Sequence, residues 1–100
     1  MIYKTKTWSH IRASVLRRDG YQCQYYKRYG RLVQANTVHH IFPVEDFPQF
    51  ELSEWNLISL SADAHNMMHD RNTNKLTKEG IELLKRTARR NNIPIPLQYQ

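Results

Sequence analysis

The sequence predicts a small α+β domain with an N-terminal helix, two short strands, a histidine-bearing helix and a basic C-terminal helix. Its 100 residues are 40% hydrophobic and 24% charged, which is ordinary for one globular domain near the small end of what folds alone. Apolar residues recur at helical spacing towards both ends of the chain, and a stretch between them is typical of strands. We therefore expect one domain over residues 1–100, with its motif core at 38–70 and extended tails at 1–6 and 91–100.

The N-terminal helix is predicted over residues 8–18. Thr7 or Ser9 is a suitable N-cap, and Asp19 followed by Gly20 is a stop signal. The apolar face of this helix repeats at helical spacing through Trp8, Ile11, Val15 and Leu16.

The two short strands are predicted at residues 31–35 and 37–41, with Asn36 at the turn between them. A tyrosine-rich loop at residues 21–30 precedes them. The second strand carries His39 and His40. A loop with two prolines follows at residues 42–53, and its length suits a connection that lies over one side of these histidines.

Two further helices are predicted at residues 61–71 and 77–90. Ser61 and Thr77 are in position to cap them, and Asp63 favours the first turn of the earlier helix. The later helix is strongly basic on its polar face. Its apolar stripe consists of Ile81, Leu83, Leu84 and Ala88.

Four of the five histidines lie within residues 38–70. His65 and His69 are four residues apart, so on a helix both project from one face and can share one ion. His39 and His40 are adjacent, so in an extended segment they point to opposite sides. Three neutral imidazoles, from His39, His65 and His69, suit one divalent first-row metal and leave His40 to act as a general base. Each feature alone is more often structural, as a helix surface or a half-buried strand end, but their combination with Asn56 favours function.

Several short motifs occur in a fixed order around these histidines. The chain has Arg-Asp-Gly-Tyr-Gln-Cys-Gln from Arg18, Val-His-His-Ile-x-Pro from Val38, and Asn-Leu-Ile-x-Leu from Asn56, before His65 and His69. Over about residues 8–71 this pattern resembles the HNH endonuclease family, also called ββα-metal or His-Me finger. The intervals are similar to those of the phage-type members, and the histidine spacing is similar to that of the colicin DNases.

The resemblance implies a ββα-metal fold and a metal-dependent DNA endonuclease that hydrolyses phosphodiester bonds, leaving a 5′ phosphate and a 3′ hydroxyl. It implies that His40 activates water, while one divalent metal stabilises the scissile phosphate and the 3′ leaving group. It also implies that Asn56 holds the loop that carries the histidines. The sequence does not choose among Zn, Mn, Ni and Mg, because imidazole accepts several metals.

The chain departs from many phage-type relatives at their two Cys-x-x-Cys pairs, which bind a structural zinc. Here the corresponding stretches run from Cys23 to Tyr26 and from Ser61 to Ala64, so one thiol of four remains. One cysteine cannot build a closed tetrahedral zinc site there, and we expect the structural zinc to be absent. Packing by Tyr25 and Tyr26, or a partner, is expected to replace it.

The formal net charge of +6 and a sequence pI of about 9.7 favour a polyanionic partner, although a basic protein with a merely solvated surface has the same balance. We expect DNA as the partner, no membrane segment or signal peptide, and either a monomer or a homodimer. The single cysteine fits a reducing cytoplasm, of a bacterial host or a phage-infected cell. The candidate nucleic-acid contacts are Arg17, Arg18, Arg28, Arg71 and Arg86.

Two other classes of protein stay open from the sequence. One is a catalytically inactive DNA-binding module of the same family, for example one that assists phage packaging proteins; the lost cysteines favour it slightly, and the complete histidine and asparagine set opposes it. The other is a structural metal domain that acts through protein contacts. A fourth strong ligand that closes the coordination sphere would favour this class.

Overall fold

A computed structural model describes residues 5–100 of the chain. The described residues form four α-helices and two antiparallel strands, which confirms the predicted α+β class. Three single turns of 3₁₀ helix occur as well, at Pro48–Phe50, Glu54–Asn56 and Leu97–Tyr99. In chain order the main elements are α1 (Lys6–Arg18), α2 (Gln24–Lys27), β1 (Thr37–His40), β2 (Leu57–Leu60), α3 (Ala62–Asn66) and α4 (Lys78–Arg90).

Helix α1 begins earlier than predicted, at Lys6, because Thr5 caps it. The Thr5 hydroxyl accepts a 3.1 Å hydrogen bond from the backbone N–H of Trp8, so the predicted caps at Thr7 or Ser9 are wrong. The helix ends at Arg18 as expected, and Gly20 follows with a φ of +62°. Of the extended arm predicted for residues 1–6, the first four residues lie outside the described part, and Lys6 is helical.

The predicted strand pairing is wrong in one partner. Strand β1 pairs with β2, with His39 opposite Ile58 and His40 opposite Leu57. Residues 31–35 make a single bridge, from Gln34 back to Gln22, because their backbone bonds to the turn after α1 instead. The physical reason is burial: residues 57–60 supply the apolar side chains that fill the core, whereas Leu32 is 82% exposed.

Helix α3 is capped by Ser61 as predicted but ends at Asn66, five residues short of the expected end. The Asp70 carboxylate accepts hydrogen bonds from the backbone N–H groups of Asn72 and Thr73, at 2.8 and 3.0 Å. Such local bonds compete with a continuing helix. The chain turns here, and His69 forms an isolated bridge with Leu76.

Helix α4 is confirmed, with Thr77 as its N-cap. Its buried face differs slightly from the predicted stripe because Ile81 is only half-buried. The residues that it buries are Gly80, Leu83, Leu84, Thr87 and Ala88. The extended tail predicted for residues 91–100 is wrong in part: it ends in a 3₁₀ turn, and Ile93, Ile95 and Tyr99 pack against the core.

The main core lies between the hairpin and helices α3 and α4, and Phe42 is fully buried at its centre. Phe47, Phe50 and Trp55 place their rings around Phe42 at centroid distances of 5.2, 5.5 and 5.7 Å. A smaller cluster of Trp8, Val15 and Leu57 attaches α1 to the hairpin. No helix within residues 5–100 combines the length and apolar character needed to cross a bilayer.

Candidate metal centre

Three histidines from separate parts of the fold converge on one point. His39 comes from β1, His65 from the last turn of α3, and His69 from the bridge that follows it. One ring nitrogen of each lies within 4.8 Å of the others, and within residues 5–100 no other trio of His, Cys, Asp or Glu side chains meets this condition. The sequence predicted this trio, although a turn brings His69 to the site rather than the helix face on which the prediction rested.

His39 is the most informative member of the trio. Its side chain is 1% exposed, and neither ring nitrogen has a hydrogen-bond partner among the described residues. A buried polar group without a partner costs about 1–3 kcal/mol, so natural folds rarely keep one without a ligand. Coordination of a metal would satisfy one of these nitrogens, and His39 therefore fits a metal ligand.

The protonation states of the trio also fit. Burial, followed by the charges of His65 and His69, holds the pKa of His39 well below its ordinary value. Burial lowers the pKa of His65, with a smaller contribution from His69, and burial lowers the pKa of His69. Neutral imidazoles keep the lone pair that a metal needs.

His40 lies beside the trio and is held from two sides. Its ring stacks on Trp8 with a centroid distance of 5.2 Å and an interplanar angle of 18°. Its Nε2 lies 3.0 Å from the carbonyl oxygen of Glu51. Because a carbonyl only accepts, Nε2 carries the proton and donates it, and the lone pair of the neutral ring is on Nδ1. Burial lowers the pKa of His40, and the bond to the Glu51 carbonyl partly opposes this shift.

Asn56 is fully buried and bonds to both ends of the segment that follows β1. Its Oδ1 accepts from the Phe42 backbone N–H at 2.7 Å, and its Nδ2 donates to the carbonyl oxygens of Phe42 and Phe50, each at 3.2 Å. These three bonds hold the turn out of β1, directly after the two adjacent histidines. These contacts are the physical basis for the loop-holding role that the resemblance implies for Asn56, which stays a prediction.

The histidines open into a cavity of about 800 Å³ that also contains Trp8 and His40. Its basic lining residues are Arg12, from α1, and Lys75, and its acidic ones are Glu45 and Asp46. Arg12 lies one helical turn after Trp8, and its guanidinium donates to the Asn36 carbonyl at 2.8 Å. Neither basic residue is among the five arginines predicted to contact nucleic acid, although Arg12 lies on the polar face of the predicted N-terminal helix.

None of the five arginines predicted to contact nucleic acid lines this cavity. Arg18 is used by the fold: it pairs with Asp19 at 3.0 Å and donates to the carbonyl oxygens of Glu54 and Leu57. Arg17 and Arg71 are exposed elsewhere. Arg28 and Arg86 line a second groove, together with Arg18.

The region of the lost cysteine pairs is closed by side-chain contacts. Cys23 is buried, and the Ser61 hydroxyl lies 3.5 Å from its sulfur. The Tyr26 hydroxyl donates to the Asp63 carboxylate, and the Arg31 guanidinium lies 4.7 Å from the centre of the Tyr26 ring. These contacts of Tyr26 link α2 to the start of α3.

Comparison with known proteins gives a similar solved structure. No family model matches the chain, and no curated protein matches it. A solved structure is similar: the HNH endonuclease of the deep-sea thermophilic bacteriophage GVE2, crystallised with a manganese ion. The two share 32% sequence identity and superpose with a TM-score of 0.63 over 65% of this chain and 71% of the other.

Proposed function

Because the chain belongs to the HNH endonuclease family, we propose that it hydrolyses phosphodiester bonds in DNA with the help of one divalent metal ion. The observation that carries this proposal is the convergence of three neutral imidazoles around a buried His39 without hydrogen-bond partners. A purely structural histidine cluster would leave that cost uncompensated. The manganese in the phage relative supports a divalent ion here without identifying which one.

His39, His65 and His69 would hold the ion. When bound, it supplies positive charge that stabilises a scissile phosphate and the oxygen that leaves it. Three protein ligands leave coordination positions for a substrate, which is typical of catalytic rather than structural sites.

His40 acts as the general base in this proposal. Its Nδ1 takes a proton from a water molecule while the water oxygen forms a bond to phosphorus and the bond from phosphorus to the 3′ oxygen breaks. The 3′ oxygen then takes up a proton, so the products are a 5′ phosphate and a 3′ hydroxyl. Trp8 and the Glu51 carbonyl keep the ring in the required orientation and tautomer.

Other residues of the cavity bind and position. Arg12 and Lys75 are the cationic groups next to the histidines, so we assign them contacts to the phosphates that flank the scissile bond. Asn56 holds the turn after the adjacent histidines through its three hydrogen bonds. It is a positioning residue, because it lies fully buried behind the strand.

The test combines plasmid cleavage with calorimetric titration of Mn²⁺ and Zn²⁺. We expect His40→Ala to bind metal as the wild type does and to lose cleavage, and His69→Ala to lose both. His10→Ala is the matched control, because His10 is exposed on α1 outside the cavity and should change neither. Full cleavage by His40→Ala would remove the base assignment. Metal binding by the wild type without any chelator-sensitive cleavage would instead favour an inactive DNA-binding module.

A further inference from the structure

A second groove lies between α2 and α4, and its lining is strongly cationic. It has a volume of about 480 Å³ and contains five basic side chains against one acidic side chain, Asp19. The basic lining residues are Arg18, Lys27, Arg28, Arg86 and Arg90.

Four of these five cations make no ion pair with another described residue. Within residues 5–100 the ion pair between Arg18 and Asp19 uses both of those side chains, and no carboxylate lies within 4.0 Å of the other four basic groups. Burial lowers the pKa of Arg86, and repulsion from Arg28 lowers it further; an arginine nevertheless stays charged in a protein. Like charges held together in this way repel one another, so the groove is arranged for an anion from outside the chain.

The groove and the histidine cavity are lined by different strands of the hairpin. The histidine cavity is lined by β1, at residues 37–40, whereas the groove is lined by Leu57 and Ile58 of β2. The two share no lining residue. An anion in the groove therefore does not touch the metal centre or His40.

The spacing of the cations favours a chain of phosphates over one ion. Arg86 and Arg90 lie one turn apart on the same face of α4, and Lys27 and Arg28 lie on the opposite wall. A DNA strand carries one phosphate for every 3.4 Å of rise. Cations on two walls of a groove can therefore contact several phosphates of such a backbone at once. Glu82 lines an adjoining cavity that also contains Arg86, so Arg86 has an acidic neighbour. The other three unpaired cations of the groove, Lys27, Arg28 and Arg90, do not line that cavity.

We propose that this groove is a second nucleic-acid-binding site, which holds a stretch of sugar-phosphate backbone away from the bond that is cut. The site makes the enzyme a two-point binder of one DNA molecule or a bridge between two. Binding in the groove requires neither the metal nor catalysis. Groove binding can therefore be present or absent independently of the proposed nuclease activity.

The test measures duplex binding in chelator as a function of salt. Loss of two phosphate contacts lowers the slope of log K against log salt by about 1.8, that is by about 0.9 per contact. If binding is equal at 1 M salt, this corresponds to roughly 60-fold weaker binding at 0.1 M. We expect this change for Arg86→Gln/Arg90→Gln. The pair Lys27→Gln/Arg28→Gln tests the other wall, in case the α4 variant fails to fold.

The matched control is Lys85→Gln/Arg89→Gln, which removes the same charge from the same helix outside the groove. We expect it to change the slope by less than half as much, and an equal change in control and groove variants would overturn the proposal. Calorimetry with inorganic phosphate forms the second arm. Loss of phosphate binding in Arg86→Gln/Arg90→Gln with unchanged duplex affinity would show a site for a free ion and would also overturn the proposal.

Discussion

His39→Leu is expected to make the metal-free protein more stable while abolishing stabilisation by metal. The side chain is buried and neutral, so the substitution removes no charge and keeps a similar volume. It removes two nitrogens without partners among the described residues. Each buried nitrogen without a partner costs about 1–3 kcal/mol, so removing both stabilises the fold by about 2–6 kcal/mol. Imperfect packing of the leucine side chain destabilises the fold by about 1–3 kcal/mol.

With midpoints of about 4 kcal/mol of relief and about 2 kcal/mol of packing cost, the net gain expected in chelator is about 2 kcal/mol. For a domain of this size each kcal/mol corresponds to about 4–8 °C in Tm. Metal reverses the order: at a free concentration of about 1,000 Kd the wild type gains about 4.1 kcal/mol, and the variant gains nothing. Urea unfolding with and without Mn²⁺ measures both effects.

Asn56→Ala is the matched control for this prediction, because Asn56 is also buried and polar but makes three hydrogen bonds. Its loss leaves backbone groups without partners and is expected to cost about 3 kcal/mol or more. If the two substitutions change the free energy of unfolding in chelator with opposite signs, His39 is a metal ligand rather than an ordinary core residue. If His39→Leu is destabilised in chelator as Asn56→Ala is, His39 is an ordinary core residue and the reasoning fails.

Two further substitutions test how the site is supported. Trp8→Ala removes the ring that stacks on His40, so kcat should fall by about ten- to a hundredfold while calorimetric metal affinity stays unchanged; an unchanged kcat would show that the stacking has no positioning role. Gly80→Ala should gain about 1 kcal/mol from helix propensity alone, but its Cβ would lie 2.5 Å from the Met68 carbonyl oxygen. We expect a net loss of about 1–3 kcal/mol and weaker metal binding, measured by thermal melting and calorimetry. A Gly80→Ala variant more stable than the wild type would mean that the backbone at Met68 can move away from the new Cβ at little cost.

The parts of the fold that could be predicted from the sequence are those determined by residues close together along the chain. The caps at Ser61 and Thr77 depend on side chains that bond to backbone three residues away. The end of α1 is set by the residues that directly follow it, Asp19 and Gly20. Helical periodicity near each chain end likewise reports on one element alone. For the same reason the predicted bounds of α4 agree with the structure, in which Thr77 is the N-cap and the helix runs from Lys78 to Arg90.

The partner of β1 could not be predicted, because pairing is decided by which distant segment fills the core. Residues 31–35 and 57–60 are both short and suitable for a strand. Leu57 and Leu60 are almost fully buried in the fold, which settles the choice, but burial is a property of the whole chain. The basic residues at the histidine cavity were missed on similar grounds, since Lys75 reaches it only through the turn after Asp70.

His69 shows how a predicted convergence of side chains can appear in the structure although the structural argument for it was incomplete. His69 lies beyond α3, yet it stays near His65 because Thr77 holds the turn between them. The Thr77 hydroxyl donates to the Met67 carbonyl, and its backbone N–H donates to the Met68 carbonyl at 2.9 Å, while the same hydroxyl caps α4.

One helix therefore supports both proposed sites from its two ends. The N-terminus of α4 anchors the turn that carries His69, and its C-terminal half supplies Arg86 and Arg90 to the second groove. Changes near Thr77 should disturb metal binding, whereas charge changes two turns later should leave it intact. Separate loss of metal affinity and of duplex affinity along one helix is thus what the two-site arrangement requires, and joint loss from Arg86→Gln/Arg90→Gln would mean that the two sites are one.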